Sequence, residues 1–348
     1  MTSSRMRVFD GLLNERQRYL PVLAVNETVT SDLMKAVGVT WPEGHMQSEK
    51  MASLAIAGHL NLGFDNVRIP FDQTVEAEAL GGKVTYGREL AFPEVHVPVG
   101  GPPGDLRADE NTLVRGRIPI VLDAITKARQ QLPCNAPIVA GIVGPLSVGA
   151  QAFGLETYLK WTLRDPEGIS HSLETITPFL ASYAKEQIKR GADIVSIEDM
   201  VSSPDILDPK FFRERVSPHL KKLIDSIEAP VVLHICGNAT AIVADMVELG
   251  PAAISLDAKT DLVKATEAAK GKVKLAGNLS PVTTLLGGTP QDVTRAVNKA
   301  VKLGIDIVSP GCSLSPLTST DNVKAMVQAA REIEEKKANS FTYSRQGG

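Results

Sequence analysis

Cysteine is scarce: Cys134, Cys236 and Cys312 are the only three in 348 residues. So few thiols exclude a disulfide framework and fit a reducing, intracellular setting. Long apolar runs are missing too. None approaches the roughly 20 residues that cross a bilayer, so no membrane role is expected. The opening stretch, residues 1–21, has neither an uninterrupted apolar segment nor a small-residue cleavage site. It reads as a short amphipathic helix, and the expectation is a cytoplasmic protein. Charge of one sign is not in excess either: 37 basic and 40 acidic residues leave a formal net charge of −3. That balance argues against nucleic acid as a partner. Finally, no glycine-rich dinucleotide turn follows the first apolar run.

What is present is a repeating pattern. Short apolar, β-branched runs occur at 20–26, 66–72, 137–145, 192–199, 230–237, 252–258, 272–280 and 305–312. Near-continuous apolar runs of this length suit strands buried on both faces of a parallel sheet. Helical punctuation lies between them, as in 288–304, where Thr289 is placed as N-cap, Pro290 opens the helix and Gly304 ends it. Alternating strands and helices form either a doubly wound sheet or a closed barrel. Eight runs favour the barrel, so the fold class is α/β, a (β/α)8 TIM barrel. The expected organisation is one barrel domain over 1–348, with an N-terminal helical segment. The stretch 74–106, rich in Gly and Pro and without a helical face, reads as a hairpin-like insertion after the second strand, on the rim of the mouth.

In a barrel, residues at the C-terminal ends of strands face the active site. His234 and Cys236 end the fifth run, and their spacing points both side chains to one face. Cys312 ends the eighth. One His and two Cys suit zinc, and three protein ligands leave a position for water or substrate. Two other readings stand beside this one: a buried packing pair, or a cysteine nucleophile with His234 as base. Cys134 precedes the third run, at the opposite end, and reads as a structural thiol. Glu198 and Asp199 end the fourth run, as a possible fourth ligand, a substrate contact or solvated rim acids. Asp257 and Asn278 end the sixth and seventh and are possible substrate-pocket residues, either able to orient His234. Arg115 and Arg117 are possible anion contacts or the solvated face of a helix. His96 is the histidine of interest in the rim insertion.

The segments "RGRIPIVLDAI" (115–125), "VGPLSV" (143–148), "VVLHICGN" (231–238), "KLAGNLSP" (274–281), "VSPGCSLSPLT" (308–318) and "DNVKAMV" (321–327) resemble the uroporphyrinogen decarboxylase superfamily. Within it they are similar to the methylcobamide:coenzyme M methyltransferases. His-x-Cys with a distant Pro-Gly-Cys is the zinc signature of that branch, so the resemblance implies His234, Cys236 and Cys312 as zinc ligands. It implies methyl transfer from a methylated corrinoid protein, carrying methylcobalamin, to a small thiol such as coenzyme M, activated as a zinc-bound thiolate. Alternatives in the same fold are transfer between a methylated substrate and a corrinoid protein, or to a tetrahydrofolate. A non-catalytic docking scaffold for a corrinoid protein is a further one. The Arg-rich segment by which true decarboxylases hold substrate carboxylates is absent from residues 18–38, which argues against uroporphyrinogen as substrate.

Overall fold

The computed structural model describes residues 2–15, 17–88, 90–132 and 136–346; Cys134 lies outside them. The strands, in chain order, are β1 (Val67–Ile69), β2 (Lys83–Thr85), β3 (Glu94–Val97), β4 (Ile138–Val143), β5 (Ile194–Glu198), β6 (Val231–Ile235), β7 (Ala253–Leu256), β8 (Lys274–Leu279) and β9 (Ile307–Pro310). Seven of them form one parallel sheet in the order β1-β4-β5-β6-β7-β8-β9. Each neighbour in the sheet follows in sequence, and helices run between them, as the alternating pattern requires. The fold is an α/β TIM-like barrel.

Seven strands rather than eight is a correction with a visible cause. The run 20–26 makes a single parallel bridge, Val22 to Val308, supported by Leu23 N–H donating to Val308 O and Val308 N–H to Pro21 O, both at 2.9 Å. On its other side it meets side chains as much as backbone. Asp65 Oδ2 accepts from Val22 N–H at 2.9 Å, and the Asn66 amide brackets Ala24, accepting from its N–H at 2.8 Å and donating to its carbonyl at 3.0 Å. Side chains that replace a backbone ladder satisfy the same groups without making a regular strand. The run still joins β9 to the segment that leads into β1.

The barrel interior is filled by Leu23, Val25, Val139, Ile194, Val232, Ala253, Ala276 and Ile307. Val8 and Leu12 of the N-terminal helix Ser4–Leu13 pack into the same cluster and plug its lower end. The helix Pro290–Lys302 starts on a capping box between Thr289 and Asp292, as its sequence announces. Among the described residues no helix is long and apolar enough to cross a membrane.

The stretch 74–106 does contain a hairpin, with β2 and β3 antiparallel and Val84 opposite Val95. It also contains a short helix, Val75–Ala79, which its sequence did not suggest. The base of the stretch is pinned by buried charge. The Arg117 guanidinium donates to Asp72 at 2.7 Å, Thr74 Oγ1 at 2.7 Å and Glu78 at 2.7 Å, and Glu76 Oε1 accepts from Val143 N–H, at the C-terminal end of β4, at 3.0 Å.

Glu76 is buried, and burial pushes its carboxyl up to about 8 despite the Val143 amide. Below its ordinary value of 4.5 folded and unfolded chains both hold the proton; between 4.5 and 8 only the folded chain does. Stability therefore falls as pH rises through that window. Glu27 is likewise raised to about 8 by burial and by Glu198, so it contributes a parallel fall. Glu76→Gln keeps an acceptor for Val143 N–H and should leave roughly half of the wild-type loss, itself on the order of a few kcal/mol. Thermal melts at pH 5.5 and pH 8.5 check this, and a variant whose melting point falls as steeply as the wild type's contradicts it.

Candidate metal centre

Register builds the site. Glu198 of β5 lies opposite His234 of β6, and His234 opposite Ser255 of β7. All three are buried and stand two or four residues beyond the apolar interior residues of their own strands, so they share the inward face. His234 Nδ1–H faces Ser255, with the carbonyl oxygen at 3.1 Å and Oγ at 3.2 Å. That leaves Nε2 turned toward the thiols, 3.1 Å from Cys236 Sγ, and Cys236 Sγ is 3.4 Å from Cys312 Sγ. The three donor atoms lie within 4.8 Å of one another.

This donor set fits zinc. Tetrahedral zinc with its usual bond lengths to sulfur and imidazole nitrogen sets its donors about 3.6–3.8 Å apart. The separations of 3.1 and 3.4 Å are only slightly tighter. The contact with the Cys236 sulfur outweighs burial and, with the help of His234, holds Cys312 well below the usual thiol range. The same contact, with burial, drives Cys236 far upward. Burial alone would pull His234 down, but its contact with the Cys312 sulfur pushes it up to about 9. A soft cation among the three donors would take the place of the protons they carry.

The loop after β6 is held to fix Cys236. Gly237 adopts φ +75°, and a Cβ there would stand 2.4 Å from Asp205 Oδ2 and 2.8 Å from Ser203 Oγ, so no side chain fits. Its N–H donates to Asp257 Oδ2 at 3.1 Å, and Asn238 N–H donates to Asp205 Oδ2 at 3.2 Å. Cys312 is placed by Gly311, whose N–H donates to Leu279 O at 2.7 Å at the end of β8.

Below the donors lies a buried charge pair. Arg68 donates through Nη2 to Glu198, and Gln73 Nε2 donates to the other Glu198 oxygen at 2.6 Å. Arg68 is also bonded to Val25 O and Ile69 O, at 2.7 and 2.8 Å, and lies 3.7 Å from Glu27. Glu27 accepts from Ser313 Oγ, next to Cys312. The guanidinium occupies the volume over Gly141, where a Cβ would come within 2.0 Å of it.

Several expected roles change in this light. Glu198 is no solvated rim acid: it is 1% exposed, and both oxygens are engaged by Arg68 and Gln73. Asp199 is also buried, and it caps the helix Pro145–Phe153, accepting from Ser147 N–H at 2.9 Å and Ser147 Oγ at 2.6 Å. Asp257 anchors the Cys236 loop, while the residue that orients His234 is Ser255. Asn278 is half-buried at the end of β8, opposite Ser309. Arg117 is neither on a solvated helix face nor free for an anion, since Asp72 and Glu78 neutralise it internally. Arg115 is exposed and lies 3.9 Å from Asp109. His96, exposed on β3, meets Thr85 Oγ1 at 3.1 Å and no other histidine or cysteine of the site. Sequence reasoning missed Ser255, Arg68, Gln73 and Glu27; a lone Arg inside the apolar run "NVRIPFD" was the available signal for Arg68.

Residues 3–333 match the family model described as Uroporphyrinogen decarboxylase (URO-D). The chain is 33% identical over 321 residues to Methylcobamide:CoM methyltransferase MtaA of Methanosarcina barkeri, covering 90% of this chain and 93% of that one. It is 32% identical over 332 residues to Methylcobamide:CoM methyltransferase MtbA of Methanosarcina acetivorans, covering 94% and 97%. A solved methyltransferase from Methanosarcina mazei has a TM-score of 0.92 at 34% identity, over 96% of this chain and 99% of that one. The chain therefore belongs to the uroporphyrinogen decarboxylase family, in its methyltransferase branch.

The floor of the site is open to a direct test. Gly141→Ala should displace Arg68 and leave Glu198 buried without its cation, lowering stability by about 2–3 kcal/mol. Arg68→Met should by itself lower stability by a similar amount, since it too leaves Glu198 without its cation, and the double variant should cost little more than either single one. A single variant that melts with the wild type contradicts the packing described.

Proposed function

We propose that the protein transfers a methyl group from a methylated corrinoid protein to a small thiol, coenzyme M by analogy with the named activity of its relatives. The observation that carries this reading is the convergence of His234 Nε2, Cys236 Sγ and Cys312 Sγ within 4.8 Å at the C-terminal ends of their strands. Those residues would hold zinc. When bound, zinc would supply the Lewis acidity that lets a substrate thiol, ordinarily protonated at neutral pH, bind as its anion.

The chain's own residues do the rest. Cys236 and Cys312, as thiolates, would donate strongly to the metal and so keep a bound substrate sulfur nucleophilic. Ser255 holds His234 Nδ1–H, so the ring presents Nε2 in the required tautomer. Asp205 and Asp257 fix the loop that carries Cys236. The stretch 74–106, rooted on the C-terminal side of β4 through Glu76, shields the mouth on our reading and limits water around the nucleophile. The methyl group passes to sulfur as the cobalt–carbon bond breaks with its electron pair left on cobalt, on the partner protein.

Metal analysis and an assay of thiol methylation by methylcobalamin test the reading together. The wild type should hold about one zinc per chain. Cys236→Ala and Cys312→Ala should lose zinc and methylation while circular dichroism stays that of the folded barrel. His234→Ala should weaken zinc less completely, because water replaces a neutral ligand more readily than a thiolate. Cys134→Ala should keep both properties. Full zinc and activity in Cys312→Ala would contradict the assignment.

A further inference from the structure

The three donors stand on unequal supports. His234 lies inside β6, paired on one side with β5 and on the other with β7. The Cys236 loop is tied by Asp257 and Asp205. Cys312 lies beyond the end of β9, the last strand of the sheet. Gly311 packs closely before it: a Cβ there would stand 3.0 Å from Ala258 N. After it, the chain is held by the segment 27–31. Ser313 Oγ donates to a Glu27 carboxyl oxygen, Leu314 N–H to Glu27 O at 2.8 Å, and Ser31 N–H to Pro316 O at 2.7 Å. Thr30 in turn caps the helix Ser31–Val37, accepting from Leu33 N–H at 3.3 Å, so this support is itself fixed.

Packing does not explain the choice of an acid at position 27. Glu27 follows Leu23 and Val25, which fill the barrel interior, at the same two-residue period. An apolar side chain is expected there, and an acid as buried as this one costs free energy. Arg68 does not account for it either. That guanidinium is in direct contact with Glu198, and the Glu27 Oε1 that faces it, at 3.7 Å, makes no hydrogen bond. The hydrogen bond that the side chain does make is with Ser313, next to Cys312. Glu27 itself stands outside the cluster of three donors. We propose that Glu27 is a positioning residue for Cys312: its carboxyl holds Ser313 and so sets the third sulfur within reach of a metal on the other two donors. The inference rests on the metal-centre reading above and adds a residue, remote in sequence, on which metal affinity depends. Partners of this kind behind a metal ligand are worth about 10–100-fold in affinity.

Zinc affinity of the full chain, measured by competition with a chromophoric chelator, tests this without any methyl transfer. Glu27→Met keeps the length of the side chain and removes the acceptor, and it should weaken zinc about tenfold. Glu27→Gln keeps an acceptor for Ser313 Oγ and should restore most of the affinity. Ser313→Ala removes the same bond from its other end, so it should weaken zinc similarly, and the double variant with Glu27→Met should lose little more than either single one. Metal-free Glu27→Met should melt no lower than the metal-free wild type, because the side chain lost is a buried acid. The role of Glu27 is overturned by unaltered affinity in Glu27→Met, by a loss that Glu27→Gln shares in full, or by additive losses in the double variant. A loss accompanied by a lower melting point of the metal-free protein overturns it as well. None of these results touches the metal-centre reading, which fails if the wild type binds no zinc or if Cys312→Ala binds it as tightly.

Discussion

Everything at the candidate metal centre depends on the register of parallel strands. Parallel neighbours with side chains alternating between faces place Glu198, His234 and Ser255 in one inward row. A slip of one residue in β6 would turn His234 into the helix layer and Leu233 into the barrel. The same alternation carries Cys236 to the inward side just beyond β6, and closure of the sheet brings β9, and with it Cys312, round to meet it. Since β6 and β9 are separated by two strands, their donors can meet only across the mouth of a curved sheet.

That row also sets the electrostatic problem that the remaining residues solve. A thiolate-rich site beside Glu198 and Glu27 concentrates negative charge in a buried volume, which is costly without compensation. Arg68 supplies part of the compensation from below, lying in space that Gly141 leaves open. Protons supply more: Glu27 and Glu76 are both pushed up to about 8. A divalent cation at the three donors would complete the balance. The buried Arg117 solves a separate problem, neutralising Asp72 and Glu78 at the root of the stretch 74–106 and tying that stretch to the barrel.

The parts legible in the sequence were those set by periodicity. The apolar runs marked the seven strands of the sheet, and the spacing of His234 and Cys236 fixed their shared face because a strand repeats every two residues. Cys312 was legible because it ends the last such run. Three-dimensional context was not legible. Arg117 resembles any surface arginine until Asp72 and Glu78 close around it, and Ser255 has no motif because any residue with a carbonyl and a hydroxyl at that register could meet His234. The irregularity of 20–26 came from Asp65 and Asn66, whose side chains sit where a backbone ladder was expected.

The central claim is that His234, Cys236 and Cys312 form one metal centre at which the acceptor thiol binds. X-ray absorption at the zinc edge of the loaded protein tests it most directly. The account predicts two sulfur neighbours and at least one imidazole in the resting protein, rising to three sulfurs at about 2.3 Å when 2-mercaptoethanesulfonate is added. A shell without two cysteine sulfurs, or one whose sulfur count does not change with the thiol, would contradict it.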